Sequence, residues 1–169
     1  MRRVIALAIL VIGFPAWAEE DGKAQTGRPV DKGAIGVGIV VGEPLGICAK
    51  IYLRDDRAIQ AAIGSALVTN GYQVHADYVF HPWIVQDRDL FVMPIYIGPG
   101  VRFIDYSGGS GGSSHAAFGL RGVIGMLFDF KTVPLDAFLE VAGIAEYDSG
   151  DGKGLGSALN AGAGLRYYF

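Results

Sequence analysis

From Ala34 to Phe169 apolar and polar residues alternate with a period of two, in segments of about ten residues divided by turn residues, and no segment carries a helical period. The segments run over Ala34–Val41, Leu45–Leu53, Ala58–Leu67, Tyr72–Phe80, Phe91–Ile104, Ala116–Phe130, Leu135–Glu146 and Ser157–Phe169. The pattern predicts eight strands. An even number of antiparallel strands can close on itself without leaving an edge.

Each predicted strand has one apolar face. In the last, Leu159, Ala161, Ala163, Leu165, Tyr167 and Phe169 oppose Asn160, Gly162, Gly164, Arg166 and Tyr168. The sixth sets Phe118, Leu120, Ile124, Met126, Phe128 and Phe130 against Gly119, Arg121, Gly125 and Asp129. In the seventh, Leu135, Ala137, Leu139 and Val141 oppose Asp136 and Glu140. The fourth sets Tyr72, Val74, Ala76, Tyr78 and Phe80 against Gln73, His75, Asp77 and His81. The fifth sets Met93, Ile95, Ile97, Val101 and Phe103 against Gly98, Gly100 and Arg102.

Alternation alone fits a soluble sandwich or lipocalin-type barrel with its apolar face inward. Three features favour the opposite facing. Residues 1–18 read as a secretory signal peptide: Arg2-Arg3, an apolar run from Val4 to Phe14, then Ala16-Trp17-Ala18, with cleavage expected after Ala18. The apolar run falls short of the roughly 20 residues a spanning helix needs. Aromatic residues gather at strand ends, where membrane-interface girdles sit, and the polar face is rich in glycine, which suits a crowded interior. The expectation is an all-β, eight-stranded antiparallel up-and-down transmembrane barrel over residues 34–169, preceded by a periplasmic segment over 19–33.

Composition narrows the classes. A chain of 169 residues, 51% hydrophobic and 18% charged, is of single-domain length and too apolar to be disordered. A net charge of -3 provides no basic stripe, so a nucleic-acid partner is excluded on electrostatic grounds. Cys48 is the only cysteine, which rules out an intramolecular disulfide and suits a small wall residue.

With both chain ends in the periplasm, surface loops are expected over Gly42–Pro44, Val68–Gly71, Asp105–His115 and Tyr147–Gly156. Periplasmic turns are expected over Arg54–Arg57, His81–Leu90 and Lys131–Pro134, the second longer than such turns usually run. Counting inward positions from these loops puts Lys50, Asp77, Arg121 and Glu140 near mid-height. A charge inside a narrow barrel is costly unless paired, so these four are expected to form one network that plugs the lumen. Lower down, a hairpin centred near Asp151 sets Asp136 opposite Arg166. Arg102 adds a further inward cation.

The ending Gly164-Leu165-Arg166-Tyr167-Tyr168-Phe169 resembles the assembly signal of outer-membrane barrel proteins in Gly164, Tyr167 and Phe169. With eight strands and a charged interior, the chain resembles the small barrel group typified by the OmpA membrane domain and OmpX. Gly46-Ile47-Cys48-Ala49-Lys50-Ile51-Tyr52, His75-Ala76-Asp77-Tyr78 and Pro134-Leu135-Asp136-Ala137-Phe138-Leu139-Glu140-Val141 are also similar to a family of uncharacterised bacterial outer-membrane barrels. The resemblance implies location in the cell outer membrane, contact with outer-membrane lipid, and recognition of the C-terminal strand by the barrel-assembly machinery. It implies no reaction.

Candidate chemistry is sparse. Ser113-Ser114-His115 sits in a Gly-Ser tract whose flexibility works against a catalytic geometry. His75 and Asp77 share a strand face with no nucleophile obviously in reach. His75, His81 and His115 have no metal-ligand spacing, and Gly98-Pro99-Gly100 lacks the following helix a phosphate loop requires. No catalysis, cofactor or metal is expected. The first reading is a structural barrel that meets an extracellular partner through loops 105–115 and 147–156. A narrow pore, a soluble periplasmic lipocalin-like binding barrel and an envelope enzyme acting on lipid are the other readings.

Overall fold

The computed structural model describes residues 33–67, 71–106, 115–149 and 154–169. Eight strands follow one another: β1 (Ile35–Gly42), β2 (Leu45–Arg54), β3 (Arg57–Ala66), β4 (Gly71–Asp87), β5 (Phe91–Tyr106), β6 (His115–Phe130), β7 (Leu135–Asp148) and β8 (Gly154–Tyr168). Each pairs antiparallel with its neighbours in sequence, and β8 returns to β1 to close the ring. No helix occurs among the described residues. The period-two pattern therefore gives the architecture directly. Expected and observed strands differ mainly at their ends.

The largest difference lies in β4. The turn expected over His81–Leu90 is strand as far as Asp87, and Arg88–Leu90 makes the turn, fastened by Arg88 N–H to the Phe91 carbonyl at 2.9 Å. Two register shifts, between Phe80 and Trp83 and between Ile84 and Gln86, carry the strand past Pro82. Each shift changes which face a residue presents, so alternation fades although pairing with β5 continues. With this turn shortened, the awkward length of the expected periplasmic loop disappears.

The ring is sheared. Paired positions run Gly38–Cys48–Ala62–His75–Arg102–Gly119–Glu146–Gly156 around it, ten residues along β8 from Arg166, the direct partner of Gly38. Such a stagger tilts strands by about 40° to the axis and leaves eight of them an interior filled by side chains. Glycine makes room at the tightest approaches. A Cβ on Gly100 would lie 2.0 Å from Asp77 Oδ1, and one on Gly125 would lie 2.2 Å from the Tyr96 ring. Gly42 ends β1 with φ of 131°, a backbone state other residues rarely adopt.

Facing is inverted relative to a soluble barrel. Lys50, Gln60, Gln73, His75, Asp77, Arg102, Arg121, Asp129, Asp136, Glu140, Asn160 and Arg166 are all buried inside the ring. Leucine, isoleucine, valine and aromatic side chains cover the outside, among them Leu120 at 67% exposure and Leu159 at 78%.

Candidate functional site

The charged lumen has three levels. At mid-height Arg121 bridges two carboxylates across the lumen, one from β4 and one from β7: its Nε donates to Asp77 Oδ1 at 3.0 Å and its Nη2 to Glu140 Oε1 at 2.7 Å. Gln60 Nε2 donates to Asp77 Oδ2 at 3.2 Å and to Glu140 Oε2 at 3.0 Å, and the Tyr96 hydroxyl donates to Glu140 Oε2 at 2.8 Å. Both carboxylates are thereby charge-matched and hydrogen-bonded, which a buried ion needs in order to be tolerated.

Toward the end that carries the chain termini, Arg166 Nε donates to Asp136 Oδ1 at 2.9 Å, and the Tyr168 hydroxyl donates to Asp136 Oδ2 at 2.5 Å. Asp136 and Arg166 are direct cross-strand partners. The Arg166 guanidinium also lies 4.2 Å from the centre of the Phe138 ring. Toward the other end, Arg102 Nη1 meets Glu146 Oε2 at 3.2 Å.

Lys50 departs from the expected arrangement. It is fully buried, yet its Nζ lies 2.8 Å from His81 Nε2, between the rings of Tyr52 and Tyr96 at 4.8 and 4.9 Å, and no carboxylate bonds it directly. The reason is the stagger. Height counted from loop ends ignores the ten-residue shear, and correcting for it sets Lys50 roughly a pleat below Asp77 and Glu140, level with Tyr96. The single four-charge network therefore resolves into an Arg121-centred trio and a separate Lys50–His81–aromatic group.

Gln60, Tyr96, Tyr168 and Glu146 are additional members of these groups. Glu146 shares the parity of Asp136 and Glu140, a signal present in the sequence. Gln60, Tyr96 and Tyr168 carry no charge to mark them. His75 Nε2 stands 3.9 Å from Asp77 Oδ2, and His75 lines a small internal space with Cys48 and Gln60 that leaves only ≈ 10 Å³ for the centre of a water molecule. No hydrogen bond joins the buried Cys48 thiol to His75. Ser113 and Ser114 lie outside the described residues, as does the side chain of His115.

Ligand atoms of His75, Asp77 and Glu140 lie within 4.8 Å of one another, a convergence across two strands that sequence spacing does not reveal. Arg121 holds both of those carboxylates, so the geometry is that of an ion-pair group and a divalent cation would have to displace the guanidinium. The residues that resemble an assembly signal are at the seam: Gly164 pairs with Val40 and Tyr167 with Val37, while Phe169 N–H reaches the Ile35 carbonyl at 3.0 Å. The expected loops over 105–115 and 147–156 have their central residues, 107–114 and 150–153, outside the described ones. No family model, no curated protein and no solved structure matches the chain.

Proposed function

We propose that the chain is exported, loses residues 1–18, and inserts as a closed barrel in the outer membrane of a two-membrane envelope, where it has a structural or surface-interaction role without catalysis. The observation that carries this reading is the inverted facing: a largely apolar exterior around a lumen holding four Arg and Lys side chains. In water such an exterior would be an aggregation surface far larger than soluble proteins tolerate, whereas hydrocarbon rewards it. Aromatic residues band part of each rim and support it. Tyr72, Phe103, Phe118 and Tyr147 lie on β4 to β7 at one end, and Phe80, Phe91, Phe128, Tyr167 and Phe169 lie on β4 to β6 and at the end of β8 at the other. A tilted strand needs about 9–11 residues to cross, which β2 and β3 match with 10 each, while β1 has 8.

The facing also argues against the soluble lipocalin-like reading, which would need its apolar residues inside. The ion-paired interior argues against a wide pore. A gel of detergent-extracted envelope, run boiled and unboiled, tests the reading: faster migration of the unboiled band, from the outer-membrane fraction, is the expected result. Identical migration with the protein in the soluble periplasmic fraction would overturn it.

A further inference from the structure

A small space lies inside the ring between the Arg121 group and the Arg166 group. Gln60, His75 and Glu140 border it on the side of the first, Arg166 and Phe138 on the side of the second, and Cys48 and Ala62 complete its wall. All seven side chains are buried. The space offers ≈ 10 Å³ for the centre of a water molecule, about the least that one such molecule requires.

Three of these side chains carry a polar atom without a hydrogen-bond partner: Gln60 Oε1, His75 Nδ1 and Arg166 Nη2. The bonds made by their other atoms fix what each of the three can do. Gln60 Nε2 donates to both Asp77 and Glu140, so the amide cannot be turned round and Oε1 is an acceptor. His75 Nε2 faces Asp77 Oδ2 at 3.9 Å, which favours the proton on that nitrogen and makes Nδ1 a second acceptor. Arg166 Nε is engaged by Asp136, and Nη2 is a further donor. Leaving such groups unpaired in a buried site is costly, and a space lined by them differs from the apolar cavities that stay dry.

We propose that this space is a binding site for a single water molecule held as part of the fold, donating to Gln60 Oε1 and His75 Nδ1 and accepting from Arg166 Nη2. Three such bonds are the usual complement of a buried water, and its remaining lone pair is left to the Cys48 thiol, a weak donor. An ion of either sign fits worse. The Arg166 guanidinium repels a cation, and Glu140 and Gln60 Oε1 repel an anion. Both charged residues are also matched already, by Asp136 and Arg121. The water joins two levels of the lumen, since Asp136, Arg166, the water, Gln60, the Asp77 and Glu140 carboxylates and Arg121 then form one hydrogen-bonded chain. A molecule caught as the ring closes needs no route in from either rim. The inference concerns the lumen and does not depend on which compartment surrounds the ring.

Crystals of the purified protein grown in bromide, with diffraction recorded at the bromine edge, identify the occupant directly. The expected result is one spherical peak of an oxygen's weight, without anomalous signal, within about 2.7–3.2 Å of all three atoms. No peak at that position, or an anomalous one, overturns the proposal. Ala62→Thr and Ala62→Val give an independent reading, because the two side chains fill the space alike and differ by a hydroxyl in place of a methyl. Both displace the water, and only threonine restores one of its hydrogen bonds. The threonine variant should therefore have the larger folding constant in urea, by about fivefold, the ratio one net hydrogen bond provides. Equal constants, or a more stable valine variant, mark a dry space and overturn the proposal. Should neither variant fold, the crystal density decides alone.

Discussion

Arg121 is the residue on which the lumen depends most. It donates to Asp77 and Glu140 from a side chain that is itself buried, so removing it leaves two carboxylates facing each other with only Gln60 and Tyr96 to hold them. Uncompensated buried charge typically costs 3–5 kcal/mol, and Arg121→Leu should lower unfolding stability in urea by about that much. Adding Asp77→Asn and Glu140→Gln should recover most of the loss, since the charges would go together. If the triple variant is no more stable than Arg121→Leu alone, shape and not charge is what Arg121 supplies. The inward facing of these residues was legible from strand parity. Their partners were not, because Asp77, Arg121 and Glu140 meet across the lumen from β4, β6 and β7, and parity says nothing of how far a side chain reaches.

At the scale of the strand, alternation marks an element well where each residue has a settled face and poorly where bulges reset it. β6 and β8 keep one parity throughout, and their facing can be read from residue types alone. In β4 the run from Val79 to Val85 is nearly all apolar and contains Pro82, so it reads as a turn while remaining strand. The last strand offers a test of the resemblance to an assembly signal. Phe169 fastens the seam through its backbone N–H, which Phe169→Ala retains, and its ring is 73% exposed. This variant should refold in detergent with an undiminished gel shift while its amount in the outer-membrane fraction falls several-fold. Equal losses in both measurements would make the ring a stabilising contact with β8's own Tyr167, 5.1 Å away, and no recognition element.

For the whole molecule the question is whether a closed ring of eight strands leaves a path through its axis. Three groups cross it in turn: Arg102–Glu146, then Arg121 with Asp77 and Glu140, then Arg166–Asp136 beside Lys50 and His81. Tyr52, Tyr168 and Tyr96 close around the last of these, with Tyr52 and His81 stacked at 5.5 Å. An ion moving down the axis would have to part each pair without an equivalent charge to replace it, at several kcal/mol for every step. Purified protein in a planar bilayer should therefore show no steady conductance. The triple replacement at Arg121, Asp77 and Glu140 should stay silent too, since the Arg166–Asp136 group remains. Steady openings in the unsubstituted protein would return the narrow-pore reading to first place. Openings in the triple variant alone would identify the Arg121 group as the principal barrier and leave the lower groups as packing.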